Sequence, residues 1–243
     1  MTDVLLVAYH YPPIMSAGTQ RAVSLAKHLP ECGYRVHVLT TNTFGRESPD
    51  SAFRAGEIVG AYRQMFNPDA QDLSPRLRSR ARTGSGLVSR FSRTLLIPDA
   101  QIGWLPSAYR AARSILTSYP VDLVLTTGPP FSSHLLGSLL HKMTNTPWVA
   151  DFRDTWTHDT LDEAINLPLR RHVERWLERM VLNKATRVTC VTDVAAGLMS
   201  PHTSRPIRVI PNGFESRSYP ATPREDGPVR FVHTGSFASS HPL

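Results

Sequence analysis

Three successive stretches decide how this chain folds: Val4-Leu-Leu-Val-Ala8, His10-Tyr-Pro-Pro-Ile-Met-Ser-Ala-Gly18, and Arg35-Val-His-Val-Leu-Thr40. The first is apolar at every position, as in a strand buried on both faces. It cannot run on through Pro12 and Pro13. From Thr19 the residues Ala22, Leu25, Ala26 and Leu29 recur at three- and four-residue steps, the stripe of an amphipathic helix. Pro30 and Gly33 stop that helix, and the second strand follows. Strand, loop, helix, strand is a βαβ unit with parallel strands and a right-handed crossover.

The pattern repeats downstream. Residues 121–126 read as a strand, Gly128-Pro-Pro130 as a turn, 131–141 as a helix and 147–151 as a strand. A helix of mixed charge follows over about 167–184, then a strand at 187–191, a short helix at 193–199 and a strand at 207–210. The fold class is therefore α/β, a Rossmann-like parallel sheet with helices on both faces. Ligands in such sheets bind beyond the carboxyl ends of the strands. Those ends are the segments starting at His10, Thr127, Asp151, Thr192 and Pro211. Residues 1–210 form this domain and 211–228 a hinge-like linker. Residues 229–243 read as the first strand and turn of a second domain that the chain does not complete.

The formal charge of +7 favours anionic partners without choosing among them. Cys32 and Cys190 are far apart and in no metal-like spacing, so no disulfide framework is expected, and a reducing cytoplasm is the default. No run approaches the ~20 apolar residues of a membrane-spanning helix. Between residues 43 and 98 the pattern is weak, with a short strand read at 57–63. The stretch from Arg76 to Arg93 is basic and interleaved with Leu87, Val88 and Phe91. It reads as a solvated loop or as an amphipathic segment on an anionic membrane surface at the inner face. No nucleic-acid module accompanies it, so nucleic acid is not an expected partner.

Three clusters at the sheet edge carry chemistry. The loop ending at Gly18 leads into a helix whose free N–H groups favour anions. Gly18 would admit a phosphate close to the backbone, and Gln20 and Arg21 lie in the first turn. The alternative is an ordinary turn. In Asp151-Phe-Arg-Asp-Thr-Trp156, Arg153 can bind a carboxylate or phosphate bidentately. Asp154 can accept sugar hydroxyls or act as a base, and Trp156 can stack on a sugar or base. Alternatively Arg153 pairs with Asp154 or Asp151, and Trp156 is core. Gly128 leaves room for a ligand at the third cluster, where Ser132 or Ser133 is expected to cap a helix. His134 and His141 are read as packing or exposed residues, and Glu174 and Glu178 as a solvated, salt-bridged face.

Taken in order, these segments resemble the N-terminal half of GT-B glycosyltransferases of the family 4-like group. The matching stretches are Ala8-Tyr-His-Tyr-Pro-Pro13 with Gly18, Leu25 to Thr40, Asp122-Leu-Val-Leu-Thr-Thr-Gly-Pro-Pro130, Asp151 to Trp156, and Val209-Ile-Pro-Asn-Gly213. The resemblance implies an acceptor-side domain facing a donor-side domain across a cleft. It implies a nucleotide-sugar donor as co-substrate, no metal or other cofactor, retention of configuration, and a sugar or lipid-linked acceptor. It places Gly18 near the donor diphosphate, Arg153 and Asp154 in the cleft as catalytic residues, and Asn212 and Gly213 at the hinge. Two departures accompany it. Thr127 and Gly128 stand where many relatives carry a histidine, so no catalytic histidine is named. The paired-glutamate motif of the donor domain would lie beyond Leu243, so this chain alone is expected to be inactive or nearly so. A nucleotide-sugar epimerase of the same architecture and a non-catalytic membrane module are the rival expectations.

Overall fold

The structure, a computed structural model, describes residues 1–14, 17–43, 52–57, 96–157 and 168–214. The short strand read at 57–63 (apart from Glu57), the stretch from Arg76 to Arg93, most of the linker and residues 229–243 lie outside the described residues. The chain divides into two units, Met1–Asn212 and Gly213–Leu243.

Among the described residues, the first unit is built on a seven-stranded sheet. Its elements in chain order are β1 (Thr2–Ala8), α1 (Ala17–His28), β2 (Tyr34–Thr41), β3 (Phe53–Ala55), α2 (Leu105–Ser118), β4 (Val121–Gly128) and α3 (Ser132–Thr144). Then come β5 (Trp148–Phe152), α4 (Pro168–Lys184), β6 (Arg187–Cys190), α5 (Asp193–Met199) and β7 (Ile207–Val209). The strands lie in the order β3-β2-β1-β4-β5-β6-β7, and every neighbouring pair is parallel.

β1 is central because both of its faces are apolar. Leu5 and Val7 join a core formed with Ala108, Ala112 and Ile115 of α2 and Leu136 and Leu140 of α3. Leu6 and Ala8 point the other way, into a smaller core with Ala22 of α1 and Val38 of β2. The period-two alternation of a strand thus feeds two layers at once. Burying each of these leucines contributes about 1.5–3 kcal/mol.

Most of the expected elements form, with ends shifted by a few residues. One helix and one strand form where the sequence pattern gives none. The sequence pattern does not reveal α2: its buried stripe, Ala108, Ala112 and Ile115, is mostly alanine and gives little hydrophobic contrast. The strand beyond β2 is Phe53–Ala55, and of the expected strand at 57–63 only Glu57 is described, outside any strand. Phe53, Arg54 and Ala55 align with Leu39, Thr40 and Thr41.

The serines of α3 do not cap it. Phe131 occupies the N-cap without a side-chain bond. The Asp99 carboxylate reaches in from a separate segment to take the Ser132 backbone N–H at 2.9 Å and its hydroxyl at 2.6 Å. Glu174 and Glu178 are not solvated either, being 1% and 0% exposed. They face inward from α4 to hold the segment after β5. Trp156 donates its indole N–H to Glu174, and Thr157 donates its hydroxyl to Glu178 at 2.6 Å. Helical spacing places the two glutamates on one face, and their inward partners make that face the buried one.

Two glycines test the packing. A Cβ on Gly137 would fall on the Trp148 indole and lie 2.7 Å from Thr126 Cγ2. Nothing lies within 4 Å of a Cβ on Gly197 in α5. Gly137→Ala is expected to destabilise by roughly 1–3 kcal/mol, and Gly197→Ala to stabilise by about 0.5–1 kcal/mol. Urea denaturation of both variants checks the contrast.

Candidate functional site

In this strand order the direction of sheet growth reverses between β1 and β4, and the loops leaving their carboxyl ends diverge. The crevice opened there is the ligand position of doubly wound sheets. The residues that meet at it come from α1, from the turn after β4, and from β5.

Asp151 stands at the carboxyl end of β5, and donors from three elements converge on it. Arg21 of α1 supplies a two-pronged bond, Nε to Oδ2 at 2.8 Å and Nη2 to Oδ1 at 2.7 Å. Thr127 of β4 and Thr189 of β6 donate hydroxyls at 2.9 and 2.6 Å. The Arg21 and Asp151 side chains are 9% and 3% exposed. Burial alone would push the carboxyl pKa up. The Arg21 fork and then the Thr189 and Thr127 hydroxyls outweigh it and hold the group below the ordinary aspartate value. Nη1 of Arg21 continues to the Pro211 carbonyl at 3.3 Å and the Asn212 side-chain oxygen at 3.2 Å. Arg21, expected to reach a ligand, is therefore committed to Asp151 and to the end of the first unit. Asn212, expected at the hinge, is the last residue of that unit, and Gly213 opens the next.

Arg153 follows two residues later. Its Nη1 donates to the Gly18 carbonyl and its Nη2 to the Pro129 carbonyl, while its backbone N–H bonds to the Gly128 carbonyl at 2.8 Å. No carboxylate of the described residues lies within ion-pairing distance of it. Burial draws its pKa below the ordinary arginine value; the more distant Asp154 and Asp151 charges oppose that shift, and the Arg21 charge adds to it. Arg153 thus spans the crevice from the α1 side to the β4 side as a fixed positive charge. It also explains Gly18, because a Cβ there would lie 2.8 Å from Arg153 Nη1. The space expected to admit a phosphate is occupied by the guanidinium. Asp154 is exposed beside it, as is Gln20 in the first turn of α1.

At the third cluster, the room left by Gly128 is taken by His134, whose Nε2 would lie 2.8 Å from a Cβ on that glycine. His134 is fully buried, and burial pushes its pKa down to about 3, so the ring is neutral. Its Nδ1 is 2.8 Å from the Thr126 hydroxyl, which also receives the Trp148 indole N–H at 2.9 Å. With Asp99 on the N-terminus of α3, the positive helix end at this cluster is already matched by a carboxylate.

Trp156, expected to stack on a sugar or base, is 2% exposed and stacks on Phe131, with centroids 4.7 Å apart and planes at 4°. The reading of Trp156 as core is the one the geometry matches. The sequence does not single out Glu57, yet one of its oxygens accepts from the Tyr9 hydroxyl at 2.7 Å and from Thr43 at 3.0 Å. The other, buried oxygen has no partner among the described residues, and neither does the buried indole N–H of Trp104. The one signal for Glu57 is its place just past the carboxyl end of β3. Among the described residues no group of three or more His, Cys, Asp or Glu side chains is arranged to hold a metal ion.

Residues 16–213 match the model of the glycosyl transferase 4-like domain. The chain belongs to this family. Among solved structures, sucrose-phosphate synthase from Thermosynechococcus elongatus is similar with a TM-score of 0.56 at 15% identity, over 88% of this chain and 49% of that one. A second structure under the same enzyme name matches with a TM-score of 0.50 at 15% identity, over 87% of this chain and 90% of that one. No curated protein sequence matches the chain. The chain spans about half the length of the first of these structures. At such identity the likeness is one of fold, and the fold is that of GT-B glycosyltransferases.

For this glycosyl transferase 4-like chain, the Arg21–Asp151 pair fixes the crevice and also links stability to acid. A carboxyl held below its unfolded pKa of about 3.9 contributes stability that is present above that value and lost as pH falls through the folded one. Arg21→Ala, which leaves a buried carboxylate unpaired, is expected to cost about 3–5 kcal/mol at neutral pH. Asp151→Asn is expected to flatten the loss of stability below about pH 4. Urea titrations across pH 2.5–7 (roughly the carboxylate range and above) read both effects.

Proposed function

We propose that the chain is the acceptor-side half of a glycosyltransferase that moves a sugar from a nucleotide-sugar donor to a cell-surface polysaccharide or lipid-linked acceptor, with retention of configuration. The observation that carries this reading is Arg153, a cation held by carbonyls rather than by a carboxylate at the switch-point crevice of a glycosyl transferase 4-like domain. As the bond between the anomeric carbon and the donor oxygen breaks, negative charge grows on the departing diphosphate. A fixed positive charge in a poorly hydrated crevice stabilises that charge more than water-screened lysines would. Gly18 brings the α1 N-terminus beside the same point, and its N–H dipoles add to the effect.

Among the described residues, exposed Asp154 and Gln20 can meet sugar hydroxyls, as acceptor and as donor or acceptor respectively. Arg21 acts behind them, because its bonds to Asp151 and Asn212 set where α1 and the end of the unit stand. The donor sugar is bound mainly by the other half of a GT-B protein, so Arg153 and Asp154 complete a site rather than form all of it.

A transfer assay with nucleotide-sugar donors and lipid-linked acceptors, run on this chain joined to a donor-side half, tests the reading, with the products identified by mass. Sugar on the acceptor and free nucleoside diphosphate are the expected products. Sugar still on its nucleotide with one centre inverted would make the protein an epimerase and refute the proposal. Asp154→Asn is expected to lower kcat/KM by roughly 10²-fold, with Tm unchanged because the side chain is exposed. Arg153→Lys keeps the charge but loses the planar fork, and is expected to lower kcat by a similar factor.

A further inference from the structure

α4 has a buried side and an outer side of different composition. Its two acids, Glu174 and Glu178, are both turned into the protein. The outer side carries Arg171, Arg175 and Arg179, all exposed, four residues apart along one line. None of the three is in an ion pair with a described residue. Beside that line runs a second one, Leu169, Val173, Trp176 and Met180, at the spacing of a helical stripe. Leu169 is 79% exposed and Trp176 61%, and Val173 is half-buried. The other three tryptophans, Trp104, Trp148 and Trp156, are all buried.

An exposed tryptophan and leucine edged by arginines, with no exposed acid on the helix, are the elements of an interfacial helix. The aromatic ring and leucine enter the boundary of the acyl region, and the arginines lie along the anionic headgroups. We propose that the outer face of α4 docks the protein on an anionic membrane surface. Charge complementarity selects this partner: a neutral apolar groove would have no use for three guanidinium groups in a row. α4 begins after β5, at the strand edge that carries Asp151 and Arg153. A bilayer bound there would lie on the side from which a lipid-linked acceptor arrives. That last step rests on the functional reading above; the docking face itself does not.

The test uses the full 243-residue chain and sedimentation with vesicles of phosphatidylcholine alone or mixed with phosphatidylglycerol. Binding is expected only to the mixed vesicles, and tryptophan emission should shift to shorter wavelength as Trp176 leaves water. Trp176→Ala and Arg171→Gln/Arg175→Gln are each expected to weaken binding roughly tenfold or more. The charge-matched control Arg110→Gln/Arg113→Gln, on the exposed side of α2, should change it little. Absence of binding to mixed vesicles overturns the proposal, as does equal weakening by the control. Emission already shifted without vesicles, or association of the chain with itself that Trp176→Ala removes, would assign the face to a protein contact and overturn it too. Docking by this chain, together with an epimerised nucleotide sugar as the product once a donor-side half is supplied, would sink the transfer reading and leave the docking face standing.

Discussion

The crevice depends on one constraint, which is that the Asp151 carboxylate must stay ionised inside the protein. Removing a carboxylate from water costs several kcal/mol unless strong donors replace the lost hydration. Arg21 provides a charged fork and Thr127 and Thr189 provide hydroxyls. These donors come from α1, β4 and β6, so satisfying one charge fixes the relative positions of three elements around β5. The remaining guanidinium nitrogen reaches Pro211 and Asn212, and the same charge therefore also holds the last residues of the unit.

That arrangement leaves Arg153 with a different role. The carboxylate just before it in the chain, Asp151, is taken by Arg21, and Arg153 bonds to two carbonyls instead. Carbonyl oxygens carry partial charge and leave most of the formal charge uncompensated. The neighbouring helix end cannot share an anion with it, since Asp99 already sits on the N-terminus of α3. Of the two helix ends that face the crevice, the one at Gly18 lies beside the uncompensated cation. This asymmetry gives the crevice one electropositive wall rather than a uniformly polar rim.

The sheet was legible in the sequence because its central strand is buried on both faces and reads as an unbroken apolar run, Val4 to Ala8. The start of α5, read at 193, agrees with the structure, where Thr192 caps it by accepting the Ala195 N–H at 3.1 Å. α2 was not legible, because alanine at Ala108 and Ala112 packs well yet contrasts weakly with its surroundings. The location of the site was legible as well: strand ends and glycine turns pointed to Gly18, Gly128 and Arg153, which meet in the fold. Their roles were harder to read. Gly18 and Gly128 are small because Arg153 and His134 need their space, and Trp156 stacks on Phe131. Arg153 stands 135 residues from Gly18 in the chain, and local pattern carries no information on such a partner.

α4 shows the same limit in another form. Its acids and arginines alternate at helical spacing, which suits a solvated face with mutual salt bridges. The fold separates the two signs. Trp156 and Thr157 donate to the glutamates from inside, and the His202 ring lies 2.9 Å from Glu178. Arg170 alone of the arginines follows them, bonding Glu174 at 3.0 Å. Once the acids are drawn inward, the arginines outside have lost the partners that local spacing suggested. A cationic face is thus produced by buried hydrogen bonding on the opposite side of the same helix. Trp176 and Leu169 remain outside with those arginines, because the inward positions at their level are filled by Glu174 and Arg170.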